Sequence, residues 1–196
     1  GYGSSIKIDR TYTTKKLGFE TLKFNVFAAQ MGRGRVEKSV AVALSSLATT
    51  LAKFSSDICF YMTNELNFVS FPENFTTGSS IMPHKKNPDV FELIRAKCNQ
   101  IKSVSNQFDI ISSNLTSGYH RDMQLFKGVI INSIASIKDC LKILSLSLEK
   151  VKVRNNILDD EKYKFINSVD MINNLIQNEN MSFRDAYLKI SNSIKA

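Results

Sequence analysis

A chain of 196 residues with 43% apolar content and 13 Phe is long enough for one sizeable core and too apolar for a disordered segment. Gly and Pro are scarce, at 8 and 3, which favours helix throughout, and no apolar run is long enough to cross a bilayer. The net charge of +8 comes from scattered lysines, a pattern that fits a solvated basic surface better than a nucleic-acid interface.

The first residues, Gly1 to Ser5, read as loop and start abruptly, as in a chain cut from a longer one. With no signal-peptide pattern, a cytoplasmic location is expected. Residues 13–31 then carry a helical apolar pattern in Leu17, Leu22, Val26 and Ala29, interrupted by Met31-Gly32-Arg33-Gly34-Arg35.

From about 35 to 66, Val40, Leu44, Leu47, Leu51, Phe54, Ile58 and Tyr61 alternate spacings of four and three. That is a seam along one face of a helix about 45 Å long, which needs partners of similar length. Two partners follow. Ile94, Cys98, Ile101, Phe108 and Ile111 predict a helix from Pro88 to about 113, with Asp89 and Glu92 in its first turn, where carboxylates complement the helix dipole. After Asp122, Ile130, Ile134, Ile137, Leu141, Leu144 and Leu148 predict another. Faces this broad are not closed by three helices, so further helices are expected from elsewhere or from other subunits.

From about 152 the chain turns polar and Asn-rich, and a boundary is placed near 150. Asp159 or Asp160 is a candidate helix start. Ser182 is a candidate cap for a short amphipathic helix bearing Phe183, Ala186, Tyr187 and Ile190. No strand-type alternation stands out. The expected fold is therefore all-α: an elongated bundle over 1–150 and a small helical domain over 151–196.

The cysteines Cys59, Cys98 and Cys140 each fall within an apolar helical pattern and read as buried reduced thiols. With only His84 and His120 as histidines and no metal-ligand spacing, neither a metal nor a cofactor is expected.

Between the first two long helices lies a loop of different character: Gly78-Ser79-Ser80-Ile81-Met82-Pro83-His84-Lys85-Lys86-Asn87-Pro88. Glycine and two small hydroxyls let the backbone bend and leave N–H groups free, and the lysines add positive charge. Such a loop suits an anionic substrate and a reaction that develops negative charge.

The loop, 76–88 at its widest, resembles the signature Gly-Ser-Ser-x-Met-Pro-x-Lys-x-Asn-Pro of the fumarase/aspartase superfamily at every fixed position. Within it, Thr77 to Arg95, Tyr119-His120-Arg121-Asp122-Met123-Gln124-Leu125-Phe126-Lys127 and Met181 to Ala186 resemble argininosuccinate lyases, a family that includes the δ-crystallins. The resemblance covers nearly the whole chain but only the second half of the family's protein. It implies β-elimination of argininosuccinate to arginine and fumarate, on the family's helical-bundle fold, in a homotetramer whose sites combine loops from three subunits. The alternatives are a sibling lyase acting on adenylosuccinate, aspartate or fumarate, and a structural protein of crystallin type. Neither nucleic acid nor a membrane is an expected partner.

The same resemblance implies the residue roles. Ser79 matches the catalytic serine, with Ser80 as runner-up, and whether the serine is base or acid stays open. A hydroxyl is a weak base and needs help, expected from the N–H groups of the Gly-Ser-Ser turn and from Lys85. Lys85 is assigned to the carbanion, Asn87 to substrate hydrogen bonding, and Glu92 to orienting a histidine. Met82 and Pro83 are expected to shape the loop, and Lys86 to be a solvated charge. Tyr119, Gln124 and Lys127 match substrate-binding positions. Arg33 matches an arginine of another signature segment, whose usual acidic pattern is replaced here by Ala28, Met31, Gly32 and Gly34. His84 and His120 fall at variable positions. The family's catalytic histidine lies in the half absent from this chain, so the chain alone is expected to be inactive.

Overall fold

The computed structural model describes residues 2–82 and 84–195. It divides into two compact units, Gly1–Lys152 and Val153–Ala196. The architecture is all-α. Among the described residues no helix is long and apolar enough to cross a membrane.

Helix α1, Arg10–Lys16, begins where the Asp9 carboxylate accepts the N–H groups of Thr11 and Tyr12. It does not run on into the pattern read over 13–31. Gly18 takes φ +74, which breaks the helix, and the chain is irregular until the Asn25 side chain caps α2, Val26–Met31. Arg10 steadies this segment by donating to the carbonyls of Lys23 and Phe24, at 3.2 and 2.9 Å.

Helix α3, Arg35–Tyr61, is the spine of the unit. It ends five residues before the sequence pattern suggests, and the chain then turns through Asn67 at φ 45. A two-residue strand, Val69–Ser70, follows and pairs with the end of the unit at Lys152, a ladder the apolar pattern did not foretell.

The helix expected from 88 to 113 is two: α4, Asp89–Lys102, and α5, Val104–Ser112. They part at Ser103, whose N–H reaches back only three residues to the Gln100 carbonyl while its hydroxyl takes the same acceptor at 2.8 Å. That tightened turn closes α4 before α5 begins. Helix α6, Leu125–Leu148, is preceded by a 3₁₀ turn at Arg121–Gln124.

Two apolar clusters hold the long helices together. In one, Ala48, Leu51 and Ile58 of α3 meet Phe91, Ile94, Cys98 and Ile101 of α4 and Ile137, Cys140 and Leu144 of α6, with the Phe71 and Phe91 rings 4.7 Å apart and tilted by 50°. In the other, Ala41 of α3 meets Val104 and Phe108 of α5 and Met123 and Phe126, with the Phe108 and Phe126 rings 4.5 Å apart. The start of α3 thus faces the end of the α4–α5 pair and the start of α6, so the α4–α5 pair runs antiparallel to α3 and α6 runs parallel to it.

Only part of each sequence seam is used inside the chain. Leu44, Leu51, Phe54 and Ile58 pack inward, whereas Val40, Leu47, Ile134, Leu141 and Leu148 stay exposed.

In the second unit, α7, Ser168–Glu179, and α8, Phe183–Lys195, pack through Ile172, Ala186 and Ile190. Asn180 ends α7 in the left-handed region at φ 51. Ser182 accepts the Asp185 N–H at 3.2 Å, as a cap should. Neither Asp159 nor Asp160 starts an α-helix. Asp160 instead pairs with Arg154 at 2.6 Å, a hydrogen bond that holds its carboxyl below the usual range. Phe183 and Tyr187 are exposed, so the buried face of α8 is narrower than its apolar pattern.

Candidate active site

The signature loop leaves the core at Thr77 and returns at Asn87. These two residues form an antiparallel bridge, with Asn87 N–H donating to the Thr77 carbonyl at 2.8 Å and Thr77 N–H to the Asn87 carbonyl at 3.3 Å. The Thr77 hydroxyl bonds to the Asp89 carboxylate in the first turn of α4. The Asn87 amide donates to the Gly78 carbonyl at 3.4 Å. The loop is therefore clasped at its neck, and its tip is exposed.

Within the tip, the Ser79 hydroxyl oxygen accepts two main-chain N–H groups, from Ile81 and Met82, both at 3.2 Å. The donors are not those of the Gly-Ser-Ser turn but the pair just beyond it, because the serine closes a turn over the residues that follow. Two dipoles aimed at one oxygen stabilise negative charge there. Ser79 is half-buried, while Ser80, Met82 and Lys85 are exposed. The Lys85 N–H donates to the Met82 carbonyl, and no hydrogen bond joins its side chain to Ser79 among the described residues. Lys86 lies 4.0 Å from Glu73, a loose surface pair. Pro83 lies outside the described residues. Glu92 sits exposed one turn into α4.

The second set of predicted residues forms its own group. Gln124 donates to the Tyr119 hydroxyl at 3.1 Å, which couples two of the three, and Lys127 follows on the first turn of α6. The His120 ring donates from Nε2 to the Thr116 carbonyl at 2.8 Å. Beside this group opens a cavity of about 730 Å³, lined by Arg33, Arg35, Lys38, Asp109, Gly118 and Met123 among others. Two of its cations are paired, Arg33 with Glu37 at 3.6 Å and Lys38 with Asp109 at 2.5 Å. Glu37 also accepts the Gly34 N–H, which caps α3. Arg33, in the turn before α3, thus lines this cavity while paired to Glu37 of α3. The Lys38–Asp109 pair was not foreseen, since its members lie on different helices and no motif marks them.

The two groups do not meet within one chain. The loop is anchored beside Phe91, in the cluster that includes Ile58, whereas Tyr119–Lys127 is anchored by Met123 and Phe126, in the cluster that includes Ala41. Ala41 and Ile58 are separated by about 25 Å along a helix axis. The antiparallel packing therefore puts Ser79 and Lys85 at one end of the bundle and Tyr119, Gln124 and Lys127 at the other.

The sequence profile of a family described as lyase matches residues 1–103, more than half of the chain. The chain belongs to the lyase family. Argininosuccinate lyase of Bacteroides fragilis is 50% identical over all 196 residues, and that of Thermotoga neapolitana 36% identical over 97% of the chain. The chain spans less than half of each, 44% and 48%. Among solved structures, fumarate lyase:delta crystallin from Brucella melitensis superposes with a TM-score of 0.73 at 17% identity, over 95% of this chain and 41% of that one. A class II fumarase from Schistosoma mansoni gives 0.71 at 19%, over 94% and 41%. At such identities these structures establish the shared fold, and lyase-family membership rests on the sequence match.

Proposed function

We propose that this chain is the C-terminal part of an enzyme that cleaves argininosuccinate to arginine and fumarate. The observation that carries the reading is the Ser79 oxygen, held by two main-chain N–H groups at the tip of a clasped, lysine-bearing loop. Whole-chain identity of 50% to argininosuccinate lyases favours this substrate over those of sibling lyases, whose solved neighbours share only the fold at 15–19%.

The chemistry sets the roles. A C–H bond next to a carboxylate breaks, the electron pair passes through a carboxylate-stabilised carbanion, and the neighbouring C–N bond breaks to leave fumarate and a protonated guanidino group. Lys85 faces the charge that builds on the carboxylate. Ser79 takes or returns a proton, with its anion stabilised by the Ile81 and Met82 N–H groups, and the opposite role falls to a histidine outside this chain. Glu92 orients that histidine. Asn87, Tyr119, Gln124 and Lys127 bind the substrate. No cofactor is required.

The separation of the two residue groups supports pockets assembled from several subunits, and the exposed apolar residues of α3 and α6 supply the contact surface for a homotetramer. We place the enzyme in the cytoplasm. The test is to assay the full-length protein with argininosuccinate, adenylosuccinate, aspartate and malate, the last being the hydrated partner of fumarate. Fumarate release from argininosuccinate is expected, and release from adenylosuccinate only would sink the substrate assignment.

A further inference from the structure

The geometry points to Tyr2 as the positioning residue of the Tyr119–Gln124 pair, an inference that rests on the substrate-binding role proposed for that pair. The Tyr2 hydroxyl accepts the main-chain N–H of Tyr119 at 2.7 Å, across 117 positions of sequence. It is the short, well-placed bond of the corner. The residue before it, Gly118, is buried with φ +128, a conformation open to glycine, and a Cβ there would meet the Tyr2 oxygen at 3.0 Å. The corner thus lacks a side chain at the point where the hydroxyl approaches.

Tyr2 is 52% exposed and has an aromatic neighbour of its own. Its ring lies against Phe27 of α2, centroids 6.1 Å apart and tilted by 36°. Helix α2 is fixed at its start by Asn25, which accepts the N–H groups of Phe27 and Ala28 at 2.9 and 3.1 Å. A chain of contacts therefore runs from capped helix to Phe27, to Tyr2, to the Tyr119 main chain. From there the Tyr119 ring carries its hydroxyl to Gln124. Tyr119 is 40% exposed, so few packing contacts hold its ring, and the main-chain anchor bears more of the positioning.

Removing the hydroxyl alone, in Tyr2→Phe, keeps the ring on Phe27 and deletes the acceptor. Two readouts are taken. In this 196-residue chain, exchange of the Tyr119 amide hydrogen is expected to speed up about tenfold, with the circular dichroism melting curve unchanged. In the full-length protein, KM for argininosuccinate is expected to rise roughly three- to tenfold while kcat stays within about twofold, because the pair binds substrate rather than transferring protons. Unchanged amide exchange overturns the inference, and so does faster exchange with unchanged KM. If the wild-type protein fails to cleave argininosuccinate, the functional reading falls, and amide exchange alone decides whether Tyr2 holds this corner. Tyr2→Ala, which also loses the Phe27 contact, is expected to exceed Tyr2→Phe in both readouts, and equal effects would overturn the role given to the ring.

Discussion

Cys98 of α4 and Cys140 of α6 are buried together in the larger apolar cluster, 0% and 1% exposed. Burial pushes the Cys98 thiol up to about 12 from an ordinary value of 9.0, with the nearby Cys140 sulfur adding to the effect. Folding therefore favours the protonated thiol. The stability this contributes is whole below about pH 9 and is lost as the pH rises towards 12. Melting temperatures measured across that window are expected to fall, and to fall less steeply in a Cys98→Ala, Cys140→Ala double variant. Equal slopes would remove the pair from the account.

Gly34 sits at φ +84 before α3, and a Cβ there would meet the Phe126 ring at 2.8 Å. Both the backbone and the ring oppose a side chain. Gly34→Ala is expected to destabilise the chain by about 1–3 kcal/mol in urea denaturation, whereas Gly128→Ala, with nothing within 4 Å of its Cβ, is expected to be neutral or stabilising.

Phe91 and Phe108 anchor the two clusters, each almost fully buried against a second ring. Phe91→Ala and Phe108→Ala are each expected to cost about 3–5 kcal/mol by the same measurement. A loss under 1 kcal/mol at either would mean that its cluster is not the packed centre described above.

Ser79→Ala in the full-length protein removes the proton-transfer group and leaves the clasp at Thr77 and Asn87 intact. Turnover of argininosuccinate, followed by fumarate absorbance, is expected to drop by roughly 10²–10⁴-fold with little change in melting temperature. An unchanged rate would refute the role given to Ser79.

The isolated chain is expected to release no fumarate, since His84 is exposed at the loop tip and His120 is engaged with the Thr116 carbonyl. Turnover by the isolated chain would show that one of these two replaces the histidine assigned to the missing part.

Much of the fold was legible because it rests on local rules. The apolar spacing of α3 and α6 is a backbone periodicity, and Ser182 before Phe183 is a cap whose chemistry is written in two residues. Gly18 and Asn25 were equally legible as a stop and a start, but the spacing of Leu17, Leu22, Val26 and Ala29 masked them. The break at Ser103 left no mark, because serine is tolerated in helices and its effect depends on which carbonyl it bonds. In the site, the motif residues could be named, but their separation could not. Ser79 and Tyr119 lie at opposite ends because α4 and α5 run between them and α3 packs alongside that pair. Tyr2 left no signal at all, since an aromatic beside a glycine in a loop acquires meaning only through the partner it reaches.

The distance between the loop and the Tyr119–Lys127 segment has a genetic consequence. In the oligomer proposed above, a chain gives its loop to one pocket and its binding segment to another. A Ser79→Ala allele and a Lys127→Ala allele, each crippling alone, would then complement one another when co-expressed. Some mixed pockets would draw an intact loop from one gene product and an intact segment from the other, and heterozygous activity would exceed that of either parent.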